Sequence, residues 1–140
     1  MKTISLVFSL FIGFSCSLAY AKQSPLIEYT PKFAISSYAK THYPLIFVHG
    51  FGLGFNRIGT DNIGLDYWYQ IPQDLARHGA PVFSAELSAV ASNELRGEQL
   101  LLQIDEVLAL TGKAKVNLIG HSQGGPTIQY IEAVAPAKVA

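Results

Sequence analysis

Residues 116–131 read VNLIGHSQGGPTIQYI, and no other stretch constrains the fold as tightly. An apolar run suited to a buried strand ends at Gly120, and a helical run begins at Gln123. Ser122 sits at the apex, flanked by Gly120 and Gly124 in the pattern G-x-S-x-G. A strand that turns straight into a helix brings the two backbones very close. A Cβ at either glycine would clash, and the serine takes a strained conformation. Gly125 is expected to ease the same packing. Pro126 falls in the first helical turn, where the ladder loses no donor. The turn places Ser122 at a helix N-terminus, where the dipole favours negative charge. The pattern is a nucleophile elbow and implies acyl transfer through an activated serine.

The rest of the chain supplies a matching frame. Leu45-Ile46-Phe47-Val48, bounded by Pro44 and Gly50, reads as a strand buried on both faces. Residues 49–64 read as a glycine-rich loop. Residues 66–78 read as a helix with Tyr67, Ile71 and Leu75 on one face and Gly79 as its stop, although Pro72 delays its proper start. Residues 81–85 form a second buried strand, and 88–93 a loop with capping residues. Residues 94–111 are the clearest helix, with Leu100, Ile104, Val107 and Leu108 in period and Gly112 ending it. Residues 116–119 are a third buried strand, and 123–134 the helix after the elbow. Residues 22–43 contain at most one short strand. Alternating strands and helices imply an α/β class, with a mostly parallel sheet and flanking helices. Both motif loops then lie at the carboxyl ends of strands, where open α/β sheets bind ligands.

Composition narrows the context. At 140 residues and 49% hydrophobic content, the chain can build one domain with a real core. Ten basic and ten acidic residues are spread without a basic block, which argues against nucleic-acid binding. Residues 1–21 read as a Sec-type signal peptide. Lys2 precedes an apolar run from Ile4 to Leu18, and Ala19-Tyr20-Ala21 forms the cleavage signal. An uncleaved anchor and a lipoprotein are the alternatives. The run is short for a stable transmembrane span, and Gly13 is a poor lipobox residue for Cys16. Residues 22–140 then form the exported part, secreted or periplasmic. Cys16 is the only cysteine, so that part has no disulfide and no cysteine zinc site.

A serine hydroxyl needs a base and donors for the oxyanion it creates. The N–H of Gln123 is one donor. The second belongs on a loop after an earlier strand, and His49-Gly50-Phe51-Gly52 fits, with the N–H of Phe51 as donor. His49 is expected to orient that loop. His121 neighbours the nucleophile, points away from it and fixes packing. His42 and His78 read as surface residues. Asp61, Asp66, Asp74 and Asp105 precede the serine and read as solvated or capping charges. After Ser122 the only carboxylate side chain is Glu132, and there is no histidine. The triad acid and base are therefore expected to lie outside this chain. The elbow alone is a weak signal. Following VNLI and matched upstream by FVHGFG, it indicates α/β-hydrolase ancestry.

YPLIFVHGF, DYWYQIPQDLARHGAPVF and LRGEQLLLQIDEVLALTGKAKVNLIGHSQGGPTIQYI together resemble the secreted bacterial triacylglycerol lipases of family I, the foldase-dependent group. The resemblance runs from about Tyr43 to Ala140. It implies Ser122 as nucleophile, Phe51 and Gln123 as oxyanion donors, long-chain acyl esters as substrates and action at a lipid interface under a helical lid. It also implies a lipase-specific foldase as partner. The family's acid, base, lid and calcium site would lie beyond Ala140, so no cofactor or metal is assigned here. The loop FGLGFNRIGTDNIGLDYW is longer than the family's usual equivalent. The chain reads as the N-terminal portion of such a hydrolase, stopping after the elbow helix and leaving an open sheet edge. Two other readings stand beside it: a non-catalytic remnant or binding protein, and a short-chain esterase or phospholipase.

Overall fold

The computed structural model describes residues 26–52, 56–59 and 64–140. The signal peptide expected at 1–21 and Asp61 lie outside the described residues.

β2 (Leu45–Val48) is the centre of the main sheet. It pairs in parallel with β5 (Val82–Ala85) on one side and with β6 (Asn117–Gly120) on the other. β1 (Ile27–Glu28) adds an antiparallel edge along β5. Every residue of β2 and β5 is buried. Alternation sends their side chains to two cores. Ile46, Val48, Phe83 and Ala85 pack with Leu100, Ile104 and Val107 of α2 (Asn93–Thr111) and Ile131 of α3 (Gly124–Val134). Leu45, Phe47 and Val82 pack with Ala76 of α1 (Ile71–Arg77), and with Ala80 and the half-buried Trp68 and Leu75. The unbroken apolar runs of β2 and β5 are thus explained by helices on both faces, and the α/β architecture is as expected. After α3 a short 3₁₀ turn, Pro136–Lys138, returns the chain to the sheet, where Val139 bridges Val116 in parallel.

Boundaries follow local chemistry. Ser92 caps α2 by accepting from the Leu95 N–H at 3.3 Å. Gly112 closes it at φ 65°, its N–H on the Leu108 carbonyl. The third strand is not buried as expected: beyond the buried Val116, β6 is half-buried at Asn117 and Leu118 and exposed at Ile119 and Gly120, because it stands at the edge of the sheet among the described residues. Two further expectations need correction. The loop at 49–64 contains a strand, β3 (Arg57–Gly59), paired antiparallel with β4 (Gly64–Asp66). The helix expected over 66–78 starts only at Ile71. Asp66 belongs to β4, residues 67–70 form turns, and Tyr69 stands at φ 51°, which no right-handed helix accommodates. Pro72 then occupies the first turn of α1, where its missing N–H is harmless.

Gly124 meets the central strand directly. A Cβ there would lie 2.2 Å from the Val48 carbonyl oxygen. A Cβ on Gly125 would meet nothing within 4 Å, so Gly125 does not share the packing role of Gly120 and Gly124. Gly124→Ala should therefore destabilise the fold by about 3 kcal/mol through overpacking. Gly125→Ala should be neutral or stabilising by a few tenths of a kcal/mol through helix propensity. Urea midpoints of the two variants against the parent check both signs.

Candidate active site

β6 ends at Gly120, Ser122 stands at φ 54°, and α3 begins at Gly124. A non-glycine residue in this region carries strain of roughly 1–2 kcal/mol. The turn is held by backbone bonds: His121 N–H to Val48 O at 3.1 Å, Gly124 N–H to His121 O at 2.9 Å and Gly125 N–H to Ser122 O at 3.0 Å. A Cβ on Gly120 would sit 2.8 Å from the Gly124 carbonyl carbon. A Cβ on Gly50 would sit 2.8 Å from Ser122 Cβ. The loop after β2 and the elbow after β6 therefore converge, as their positions on neighbouring parallel strands require.

The orientation of the loop can be followed peptide by peptide, because each peptide is planar and its carbonyl and N–H point in opposite directions. In the peptide joining His49 to Gly50, the carbonyl accepts from Arg96 Nη2 at 2.5 Å, and the N–H donates to the Tyr67 hydroxyl at 2.9 Å. In the next peptide, the Gly50 carbonyl accepts from His49 Nδ1 at 2.9 Å. The N–H of Phe51 is left pointing the other way, without a hydrogen-bond partner among the described residues. At the elbow, the Ser122 carbonyl accepts from Gly125, and the Gln123 N–H is likewise unpartnered among the described residues. The Gln123 side chain turns aside, its amide donating to Ala91 O and Asn93 Oδ1. Two pinned peptides thus each leave one amide open, in loops that meet beside an exposed serine. Such a pair can accept developing negative charge without reorganising.

His49 is fully buried and bonded at both nitrogens. Nε2 accepts from the Leu87 N–H at 2.9 Å, and Nδ1 faces a carbonyl that can only accept. The hydrogen-bond pattern assigns the neutral Nδ1–H tautomer. Burial, reinforced by the Arg96 charge, pushes its pKa below the ordinary 6.5 and outweighs the Gly50 hydrogen bond that favours the proton. His121 shares a 2.6 Å hydrogen bond with the Tyr67 hydroxyl and packs edge-on against Trp68. His42 is exposed. His78 is half-buried and binds Ser36 Oγ at 2.8 Å and faces Asp74 at 3.7 Å. None of the four histidines hydrogen-bonds to Ser122 among the described residues. No group of three or more His, Cys, Asp and Glu side chains converges among the described residues.

Sequence reading missed Arg96, Tyr67, Gln99 and Gln103. Arg96 is fully buried in α2, and Gln103 is nearly so. Gln103 pairs with both the N–H and the carbonyl of Glu86, and Gln99 takes the Ser88 N–H and its hydroxyl. Arg96 could have been flagged, because it falls four residues before Leu100 on the same buried stripe. Tyr67 carried no such signal, since its partners lie 17 and 54 residues away.

Residues 43–140 match the family described as alpha/beta hydrolase fold, and the chain belongs to that family. It is 52% identical over 103 residues to a triacylglycerol lipase of Vibrio cholerae, an alignment covering 74% of this chain and 31% of that protein. It is 52% identical over 112 residues to a triacylglycerol lipase of Burkholderia plantarii, covering 76% of this chain and 30% of that protein. Over 109 residues it is 52% identical to one of Pseudarthrobacter phenanthrenivorans, covering 74% and 32%. The chain thus spans about a third of the length of these curated relatives. No helix among the described residues is long and apolar enough to cross a membrane.

The lowered pKa of His49 has a definite sign. The unfolded chain takes up the proton more readily, so the stability contributed by the neutral ring is complete above about pH 6.5 and is lost as pH falls toward the depressed folded value. NMR titration of the His49 ring should show the Nδ1–H tautomer persisting below pH 6.5. A ring that charges at the unfolded value would refute the assignment.

Proposed function

We propose that the chain carries the nucleophile and oxyanion site of a serine hydrolase of the triacylglycerol lipase type, acting on carboxylic esters of lipids. One observation carries this reading: the amides of Phe51 and Gln123, unpartnered among the described residues, lie on two rigid loops that meet at a strained, exposed serine. In the first half-reaction Ser122 Oγ bonds to the ester carbonyl carbon, and its proton passes to a base. The carbonyl oxygen becomes an anion, which the two amides and the N-terminus of α3 stabilise. Collapse of that anion, with the base returning the proton to the leaving oxygen, expels the alcohol and leaves an acyl-serine, which water then hydrolyses. The base and its supporting acid are required in addition to the residues described, because no described histidine contacts Ser122.

Lipid substrates are supported by the relatives, which are triacylglycerol lipases. They are supported too by exposed apolar side chains on loops at the carboxyl ends of the strands. Phe51 follows β2 and is 63% exposed, Val90 follows β5 and is 73% exposed, and Tyr69 in the turn before α1 is 69% exposed. A lipid surface can bury such residues where water cannot. Export by residues 1–21, assistance from a foldase and work at an interface belong to the same proposal. The missing contact to Ser122 favours a second reading, a non-catalytic binding protein.

Hydrolysis of a triacylglycerol emulsion and of p-nitrophenyl esters of graded chain length, by a protein that carries the base and acid together with these residues and by its Ser122→Ala variant, tests the proposal. Turnover favouring long chains should fall at least about a thousandfold in the variant. Equal rates for the two proteins, with lipid binding retained, would establish the binding reading instead. A preference for short chains would make the protein an esterase.

A further inference from the structure

Arg96 is a fully buried guanidinium without a carboxylate partner among the described residues. Burying an unpaired cation is costly. Each of its three nitrogens donates to a neutral acceptor, and the three acceptors lie on separate segments. Nη2 donates to the His49 carbonyl at 2.5 Å, Nη1 to the Ser88 carbonyl at 2.5 Å, and Nε to Thr127 Oγ1 at 3.3 Å. Thr127 in turn donates its hydroxyl proton to the Gln123 carbonyl at 2.9 Å. The fork therefore grips the peptide just before the one that carries the Phe51 N–H. Through Thr127 it also grips the peptide just after the one that carries the Gln123 N–H. The Ser88 contact anchors a third loop, whose Ala89 carbonyl accepts the Gly52 N–H at 2.9 Å.

We propose that Arg96 is the positioning residue of the oxyanion site, setting the mutual orientation of the Phe51 and Gln123 amides without touching substrate. A planar fork suits this task, because one rigid group reaches acceptors on diverging segments at fixed angles. Lysine offers a single ammonium that cannot span all three. An apolar residue of similar length leaves the His49 and Ser88 carbonyls buried and unpaired. The inference rests on the hydrolase reading for its kinetic consequence and is independent of it for its structural one.

Two measurements on Arg96→Met and Arg96→Lys separate those parts. Amide hydrogen exchange of the 15N-labelled chain should show the Gly50 amide opening about tenfold faster in both variants, with the β2 amides of Ile46 and Phe47 little changed. Ester hydrolysis should lose about a hundredfold in kcat, with KM within about twofold, as expected when a site is misplaced rather than its substrate released. Unchanged Gly50 exchange in either folded variant would overturn the proposal. So would a KM rise with kcat preserved, or loss of the whole fold in both variants, which would make Arg96 a general stability residue. If a parent protein that includes the base and acid turns over no faster than its Ser122→Ala variant, the hydrolase reading fails, and the exchange result still decides whether Arg96 orients the loop.

Discussion

Around Ser122 three stretches of backbone lie closer together than side chains permit. The end of β2 meets the first turn of α3 at Gly124, the end of β6 meets the same turn at Gly120, and the loop after β2 meets the serine at Gly50. None of these approaches tolerates a Cβ without movement. The central strand is held between β5 and β6 with every residue buried, so it cannot yield. The strained serine, the helix N-terminus behind it and the loop beside it are all consequences of that crossing. A strain of this size persists only where the surroundings over-determine it, and here close-packed backbone does so.

Close packing sets where the loops are, and a polar layer sets which way their peptides face. That layer is one stripe of α2. Arg96, Gln99 and Gln103 rise along the helix beside Leu100, Ile104 and Val107 and reach the backbone of Glu86, Ser88 and His49. His49 completes the layer from the loop itself, bridging its own carbonyl neighbour to the Leu87 amide. Each such bond is worth only about 1 kcal/mol net, yet a buried group left unpaired costs more, so the layer is all-or-none in character.

Much of the frame was legible because it is written in local pattern. β2 and β5 announce themselves as short apolar runs between breakers, α2 by its period and its Gly112 stop, and the elbow by glycine spacing. The β3–β4 hairpin was not legible. Its strands, RIG and GLD, are three residues each and sit in a glycine-rich stretch that reads as loop. The late start of α1 was half visible in Pro72, but the left-handed Tyr69 carries no residue signal. Gly125 was misjudged because adjacency in sequence says nothing about which glycine faces the Val48 carbonyl. Of the candidate site, Ser122, Gly50 and the two open amides lie in the motifs themselves. The side chains that hold them act over long separations: Tyr67 through contacts 17 and 54 residues distant, and Arg96 through its contacts to Thr127 and His49, 31 and 47 residues distant. In Arg96 the helical period pointed inward while its charge pointed outward, and the carbonyls awaiting it belong to elements that no local pattern connects.

The account turns on two amides converging on one oxygen. A crystal structure of the protein carrying an alkyl phosphonate on Ser122 tests this most directly. The account predicts the phosphonyl oxygen within about 3 Å of both the Phe51 and Gln123 nitrogens, with the Arg96 contacts unchanged. An adduct whose oxygen meets neither amide, or turns toward Tyr67 and His121, would contradict it.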